Sequence, residues 1–329
     1  MFTELAFKNY RALRDARIPL GPLNLLVGPN GSGKTSVLEA MRWANGNFPD
    51  FQELKSVGVS STSQVQFSYR FKGAFNSGTM QWTIANGHGG TGGGLPSELH
   101  AEYGAAVNGI RHYAFDSSKM RQPVTITEQR KLSPDGSNLA GFLDYIRDNG
   151  SDAFDALVES LHRAIPEYDD IGFNGAGQGQ KAFKLRRSGT KHFVPARLLS
   201  EGTLYVVALL AMVHQPELPT VLCFEEPDRG LHPRIYREVK DALYRLAYPK
   251  EYGATHAPVQ IIATTHSAHF LNEFSDHPEQ IIVCEKGPDH DVTFRNLGQD
   301  PQAREILGES LIGDAWATGA LGGMPTTSV

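Results

Sequence analysis

The chain has 329 residues, 40% of them hydrophobic, a formal net charge of −5 and two cysteines. That length allows one large domain or two small ones, and the apolar share suits a packed core. No run of about 18 apolar residues occurs, which argues against a membrane-spanning helix, and the acidic balance argues against nucleic-acid binding through bulk charge. The opening MFTELAFKNYRAL has scattered charges and no apolar core segment, so it does not read as a signal peptide.

In chain order, residues 2–8 read as a strand and LNLLV (23–27) as a short buried strand ending at Gly28. A helix is predicted from Gly33 to about Ala44, with Val37, Leu38 and Met41 on one face. VQFSYRF (65–71), TMQWTI (79–84) and RHYAF (111–115) are strand candidates. The glycine-rich NGHGGTGGG (86–94) predicts a loop too flexible to pack. Residues 137–164 carry two helical stripes, Leu139, Phe142, Leu143 and Ile146, then Phe154, Leu157, Val158 and Leu161. KAFKLRR (181–187) and HFVPA (192–196) read as strands, 201–213 as an apolar helix, and VLCF (221–224) as a buried strand. Pro233 suits the first turn of a helix reaching about Ala247. VQIIATT (259–265) and QIIVCE (280–285) are strands flanking a helix near 267–275, and the tail after Trp316 reads as prone to fray. This alternation predicts an α/β fold, a sheet with parallel strands and helices on its faces. Cys223 and Cys284 lie inside strand runs, which fits buried free thiols in a reducing cytosol.

Four segments carry chemistry. Gly28-Pro29-Asn30-Gly31-Ser32-Gly33-Lys34-Thr35 matches GxxxxGK[ST] between a strand and a helix. Its glycines let backbone N–H groups face phosphate oxygens, the helix N-terminus adds positive potential, Lys34 can reach the β- and γ-phosphates, and Thr35 can ligate Mg2+. Asn30 to Ser36 are therefore the candidate phosphate-binding residues. VLCFEEPDRGLHP (221–233) ends a buried strand in Glu225 and Glu226; at the edge of a P-loop sheet, the first suits the Mg2+ shell and the second orients or deprotonates water. LLSEGTLYVVALLAMV (198–213) opens with Ser200, which taken alone reads as a helix N-cap. IIATTHSAHF (261–270) places His266 directly after an apolar strand, where an imidazole can donate to a γ-phosphate oxygen; His269 reads as structural.

Together these segments resemble the ABC-type ATPase head. FKNYRALRDARIPLGPLNLLVGPNGSGKTSVLEAM resembles the SMC/RecF/OLD-like branch, in which an N-[FY]-[RK] sequence, here Asn9-Tyr10-Arg11, precedes the P-loop. EEPDRGLHP is similar to that branch's EEP…LHP signature, and DGSNLAGFLDYIRD (135–148) resembles its middle segment. The resemblance implies a mixed P-loop sheet with parallel core strands flanked by helices. It implies one ATPase domain with an ATP-binding half at 1–44 and an inserted segment at 45–195. A half with signature, acidic strand end and switch histidine follows at 196–297, then a C-terminal helix and tail at 298–329. It makes Glu225 the metal carboxylate, Glu226 the general base and His266 the switch histidine. Ser200 and Gly202 take the signature position, which touches the γ-phosphate on the opposite protomer, and Asp228 falls in the loop that crosses the dimer interface. Two departures stand out: Glu-Glu where transporter heads mostly carry Asp-Glu, and SEGT in place of SGGQ.

The expected function is an ATP- and Mg2+-dependent switch in the cytoplasm, a head-to-tail homodimer with higher oligomers open, and no membrane. It would control a separate effector protein, a nuclease or toxin, in bacterial anti-phage defence. The alternative is a DNA-binding ATPase of genome maintenance; a transporter's nucleotide-binding subunit comes third. For DNA, Lys181, Lys184, Arg186, Arg187 and Lys191 form a basic cluster, although strict alternation puts Lys181 and Arg187 on one face and Lys184 and Arg186 on the other.

Overall fold

The computed structural model describes residues 1–60, 62–86, 90–125, 127, 130–177, 179–287, 291–308 and 310–323. The chain opens with β1 (Phe2–Tyr10), β2 (Leu13–Pro19), β3 (Leu23–Val27), α1 (Lys34–Arg42) and α2 (Phe51–Leu54). Next come β4 (Val65–Lys72), β5 (Ser77–Ile84), β6 (Thr91–Gly93), α3 (His100–Asn108) and β7 (Ile110–Tyr113). The middle holds α4 (Ser117–Met120), β8 (Val124–Thr125), α5 (Leu139–Asn149), α6 (Ser151–Ala164), β9 (Tyr168–Gly175), β10 (Gln180–Arg187) and β11 (Phe193–Pro195). The last part holds α7 (Glu201–Val213), β12 (Val221–Glu225), α8 (Tyr236–Ala247), β13 (Gln260–Thr265), α9 (Ala268–Asn272), β14 (Ile281–Lys286), β15 (Val292–Asn296), α10 (Pro301–Leu307) and α11 (Ile312–Ala317). The chain divides into two compact units, one of residues 1–112, 220–227 and 258–329, the other of 113–219 and 228–257. The 45–195 segment is thus shared between them, changing at Tyr113.

The first unit carries a six-stranded sheet in the order β15-β14-β3-β13-β12-β7. β14, β3, β13 and β12 run parallel, and β15 closes one edge antiparallel. β3 and β13 are buried along their whole length, as strands of a parallel sheet covered on both faces must be. The register pairs Val27 with Thr265 and Glu225 with Thr264, so the chain leaves β3, β12 and β13 at one common edge. A five-stranded antiparallel sheet, β2-β1-β4-β5-β6, lies in the same unit. β4 alternates cleanly, with Val65, Phe67, Tyr69 and Phe71 buried while Arg70 and Lys72 face out; β1 buries Phe2, Leu5 and Phe7 on the same face after a register shift between Phe2 and Glu4. Gln260 ties the sheets together: its amide accepts from Phe2 N at 2.9 Å and donates to Phe2 O at 2.6 Å and Gly21 O at 2.9 Å.

Three tyrosines fix α1. Tyr10, Tyr69 and Tyr103 donate their hydroxyls to the carbonyls of Ser36 (3.1 Å), Ala40 (2.7 Å) and Ala44 (2.8 Å). Those acceptors recur every four residues, which places them along one helical face and its end. Burial raises all three phenols above their ordinary range, so they remain donors. Phe67 packs in the same cluster against Phe7, Tyr10, Trp43 and Phe48.

In the second unit the two predicted stripes bury Leu139, Phe142, Leu143 and Ile146 on α5 and Phe154, Leu157 and Leu161 on α6, with Val158 half-buried. α7 is buried on nearly all sides, from Thr203 to Met212. β9 and β10 pair as a hairpin extended by β11 and β8. Among the described residues no helix is long and apolar enough to cross a membrane.

The structure corrects the glycine-rich expectation in part. Thr91–Gly93 is a strand paired with β5, because Gly92, opposite Trp82, leaves the indole room that any Cβ would fill at 2.3 Å. Residues 87–89 lie outside the described residues, as does the end of the tail at 324–329, whereas Leu321 is buried. β2, α3, β9 and β15 had no predicted counterpart: Leu13, Ala16 and Ile18 break strict alternation, and Asp169, Asp170 and two glycines hide the apolar face of β9.

Phe67→Ala should lower stability by about 3–5 kcal/mol and Tyr69→Phe by about 1 kcal/mol, read from urea unfolding. Burial, reinforced by nearby arginines, lowers His112 to about 3 and His214 to about 4. The unfolded chain protonates these rings near pH 6.5 and the native chain does not, so stability should fall as pH drops from about 6.5 toward 4. Each histidine contributes a slope of about 1.4 kcal/mol per pH unit, and His112→Gln should flatten the profile by one such share.

Candidate functional site

The residues between β3 and α1 form the site's floor. Gly28 has φ 158°, and a Cβ there would lie 2.3 Å from the Cys284 carbonyl of β14, so the neighbouring strand excludes any side chain. Gly33 (φ 83°) turns the chain into α1 without a side-chain cap, and the first turn of α1 carries no acid. The positive end of the helix is left for an anion. The Lys34 side chain folds back over the loop and is only 6% exposed. Its Nζ donates to Gly28 O at 2.7 Å and Pro29 O at 2.9 Å and lies 3.5 Å from Ser32 Oγ. Burial lowers its pKa, with Cys284 and Glu226 acting the other way.

Above this floor is a cleft of about 250 Å3 lined by Arg11, Ala12, Asn30, Gly31, Gly33, Lys34, Thr35, Ser36, Glu225, Glu226, Thr264 and His266. The parallel register thus brings two of the four sequence segments to the loop. Glu225 ends β12, and Glu226 turns away with φ 48°, a left-handed conformation that costs a non-glycine residue about 1–2 kcal/mol. Pro227 follows it and disfavours the right-handed helical alternative. Glu226 N donates to Thr264 Oγ1 at 3.2 Å, and Glu226 Oε1 lies 3.8 Å from His266 Nε2. Burial and the Lys34 charge lower the His266 pKa, partly offset by Glu226, so the ring is neutral near pH 7.

Ser200, Gly202 and Asp228 belong to the second unit. Ser200 caps α7, accepting from Thr203 N at 3.1 Å. A Cβ on Gly202 would sit 3.3 Å from Gly230 O, so the first turn of α7 packs on the turn that follows the buried Asp228. In the same unit the basic cluster is partly neutralised. Lys181 pairs with Asp144, Arg186 with Asp169 (2.7 Å) and Asp170 (3.2 Å), and Lys184 lies 4.7 Å from the Phe193 ring centre.

Three lining residues, Arg11, Ala12 and Thr264, were not among the sequence candidates. Arg11 (φ 47°) pairs with Glu39 and sits 5.6 Å over both Tyr10 and Trp43; its signal was Asn9-Tyr10-Arg11, noted only as a resemblance. Thr264 has no motif of its own and emerges only from the pairing of β13 with β12.

A glycine loop between a buried parallel strand and a helix, with two carboxylates and a histidine at the same sheet edge, is the arrangement expected of the P-loop ATPase class. An AAA domain family matches residues 4–177, and a second AAA domain family, whose description names the AbiEii toxin and a type IV TA system, matches 117–272. The chain belongs to the AAA domain family, in the SMC/RecF/OLD-like branch of P-loop ATPases. It is 32% identical over 88 residues to the OLD nuclease of Thermus scotoductus, 25% of this chain and 17% of that protein. It is 44% identical over 66 residues to the DNA replication and repair protein RecF of Erwinia tasmaniensis, 20% of this chain and 18% of that one. The matched regions therefore span less than a fifth of the length of these relatives. The fold is that of SMC heads. The SMC head bound to the C-winged helix domain of ScpA matches with a TM-score of 0.62 at 13% identity, covering 89% of this chain and 97% of that one. The Thermotoga maritima SMC head domain matches with a TM-score of 0.56 at 14% identity, covering 90% and 98%.

Gly28→Ala and Lys34→Ala should each weaken ATP binding about 10- to 100-fold, measured by titration with a fluorescent ATP analogue. The first acts by forcing the loop off β14, the second by removing the cation.

Proposed function

We propose that the chain binds Mg-ATP in this cleft and hydrolyses it. The observation that carries the reading is the buried Lys34 ammonium, held by neutral oxygens beside Glu225, Glu226 and His266. The residues fit the ligand: Asn30 to Ser36 offer backbone amides and hydroxyls to the phosphates, and Lys34 exchanges carbonyl for phosphate oxygens. Among the described residues no cluster of three or more His, Cys, Asp or Glu could hold a metal alone. Mg2+ would thus be shared between Thr35, Glu225 and the phosphates, as this ion ordinarily is, and would neutralise phosphate charge when bound. Glu226 takes a proton from the attacking water, and neutral His266 donates a hydrogen bond to a phosphate oxygen.

In this reading Ser200, Gly202 and Asp228 meet the nucleotide of a second copy, and a two-fold head-to-tail dimer closes around two ATP molecules. The dimer would act as a switch on a separate effector, a nuclease or toxin, in anti-phage defence. The match to the family whose description names the AbiEii toxin, and the stretch shared with an OLD nuclease, support that role. A second role, DNA-associated genome maintenance, is favoured by the stretch shared with RecF.

Glu226→Gln should reduce turnover about 10²- to 10⁴-fold while retaining ATP binding. Its solution mass should double only with Mg-ATP; an ATP-independent mass would remove the sandwich. Wild-type turnover should rise faster than linearly with protein concentration at its low end.

A further inference from the structure

Two groups at the end of β13 face Glu226, one at its backbone N–H and one at its carboxylate. β12 ends at Glu225, which stands opposite Thr264 in the parallel ladder. The next residue leaves the ladder with φ 48°, and its N–H turns to a side chain, Thr264 Oγ1, at 3.2 Å. Two residues further along the same chain, His266 Nε2 stands 3.8 Å from the Glu226 carboxylate. Thr264 is 4% exposed and lines the cleft with both. Backbone in the left-handed region persists for a glutamate only where its surroundings over-determine it. Among the described residues, the side chain that accepts from the strained peptide's N–H is Thr264.

We propose that Thr264 is a positioning residue for Glu226: its hydroxyl holds the left-handed peptide that aims the carboxylate into the cleft. The inference rests on the hydrolysis reading above. A part-buried N–H that loses its acceptor is driven to find another, here in the protein or in the water of the cleft. Without the hydroxyl, Glu226 relaxes toward ordinary backbone geometry and its carboxylate shifts away from the attacking water. A displacement of about 1 Å at a reacting group costs up to about 100-fold in rate. ATP itself is held by the loop and Lys34, whose hydrogen bonds run to Gly28, Pro29 and Ser32 and not to Thr264, so affinity is spared.

The test compares Thr264→Val and Thr264→Ser with wild type, reading kcat, KM for ATP, and thermal midpoint. The expected result is a kcat lowered about 10- to 100-fold in the valine variant with KM within about twofold, and most of kcat restored by serine. A valine variant with wild-type kcat overturns the inference and leaves hydrolysis standing. A valine variant that loses kcat, ATP affinity and thermal stability together also overturns it, because the threonine is then a packing residue. A serine variant as impaired as valine does the same. A wild-type chain that binds ATP without turnover instead overturns the hydrolysis reading on which the inference depends.

Discussion

A lysine ammonium removed from water must find oxygens, and in this chain the oxygens it finds are neutral. Lys34 bonds to the Gly28 and Pro29 carbonyls, with Ser32 close by, and none of these compensates its charge. The residual positive potential adds to that of the first turn of α1, which carries no acid of its own. The carboxylates of Glu225 and Glu226 come from the end of another strand and line the same cleft. The loop can hold this arrangement only because Gly28 presses its backbone against Cys284, where no side chain fits.

Strain gathers around that cleft. Among the described residues three non-glycines have positive φ, Asn9, Arg11 and Glu226, and two of them line it. Asn9 and Arg11 flank Tyr10, turning its ring inward to the core while the Arg11 guanidinium stays at the rim. Tyr10 begins the row of hydroxyls that seats α1, so the same tight turn sets both a cleft wall and the helix behind the loop. Rigid aromatic packing on one side and strained peptides on the other are what a site under geometric demand requires.

Much of this was legible in the sequence because it rests on local patterns. The strand–loop–helix around Lys34, the apolar run before Glu225, and the run before His266 each fix an element and its end, and the structure brings their ends together. Ser200 as an N-cap was equally legible, since a serine before an apolar helix needs only its neighbours to be understood. What stayed hidden depends on pairing. Thr264 is one of two adjacent threonines, and nothing local says which faces Glu226 until β13 is set beside β12. β9 escaped because its two aspartates and its glycines break the alternation, although Ile171 faces the core. The basic cluster on β10 looked like free charge because Asp144 and Asp169 lie far off in sequence.

The aromatic row also gives the chain an optical probe of its own. Trp43 stands at the end of α1, edge-on to Tyr10 and Phe67, with the Arg11 guanidinium over its face. Arg11 simultaneously pairs with Glu39 and borders the cleft. An anion that draws the guanidinium toward the phosphate loop takes a positive charge off the indole. With Trp82 and Trp316 replaced by Phe, the emission of Trp43 would then report occupancy of the site from a side chain that does not line the cleft, with no label added.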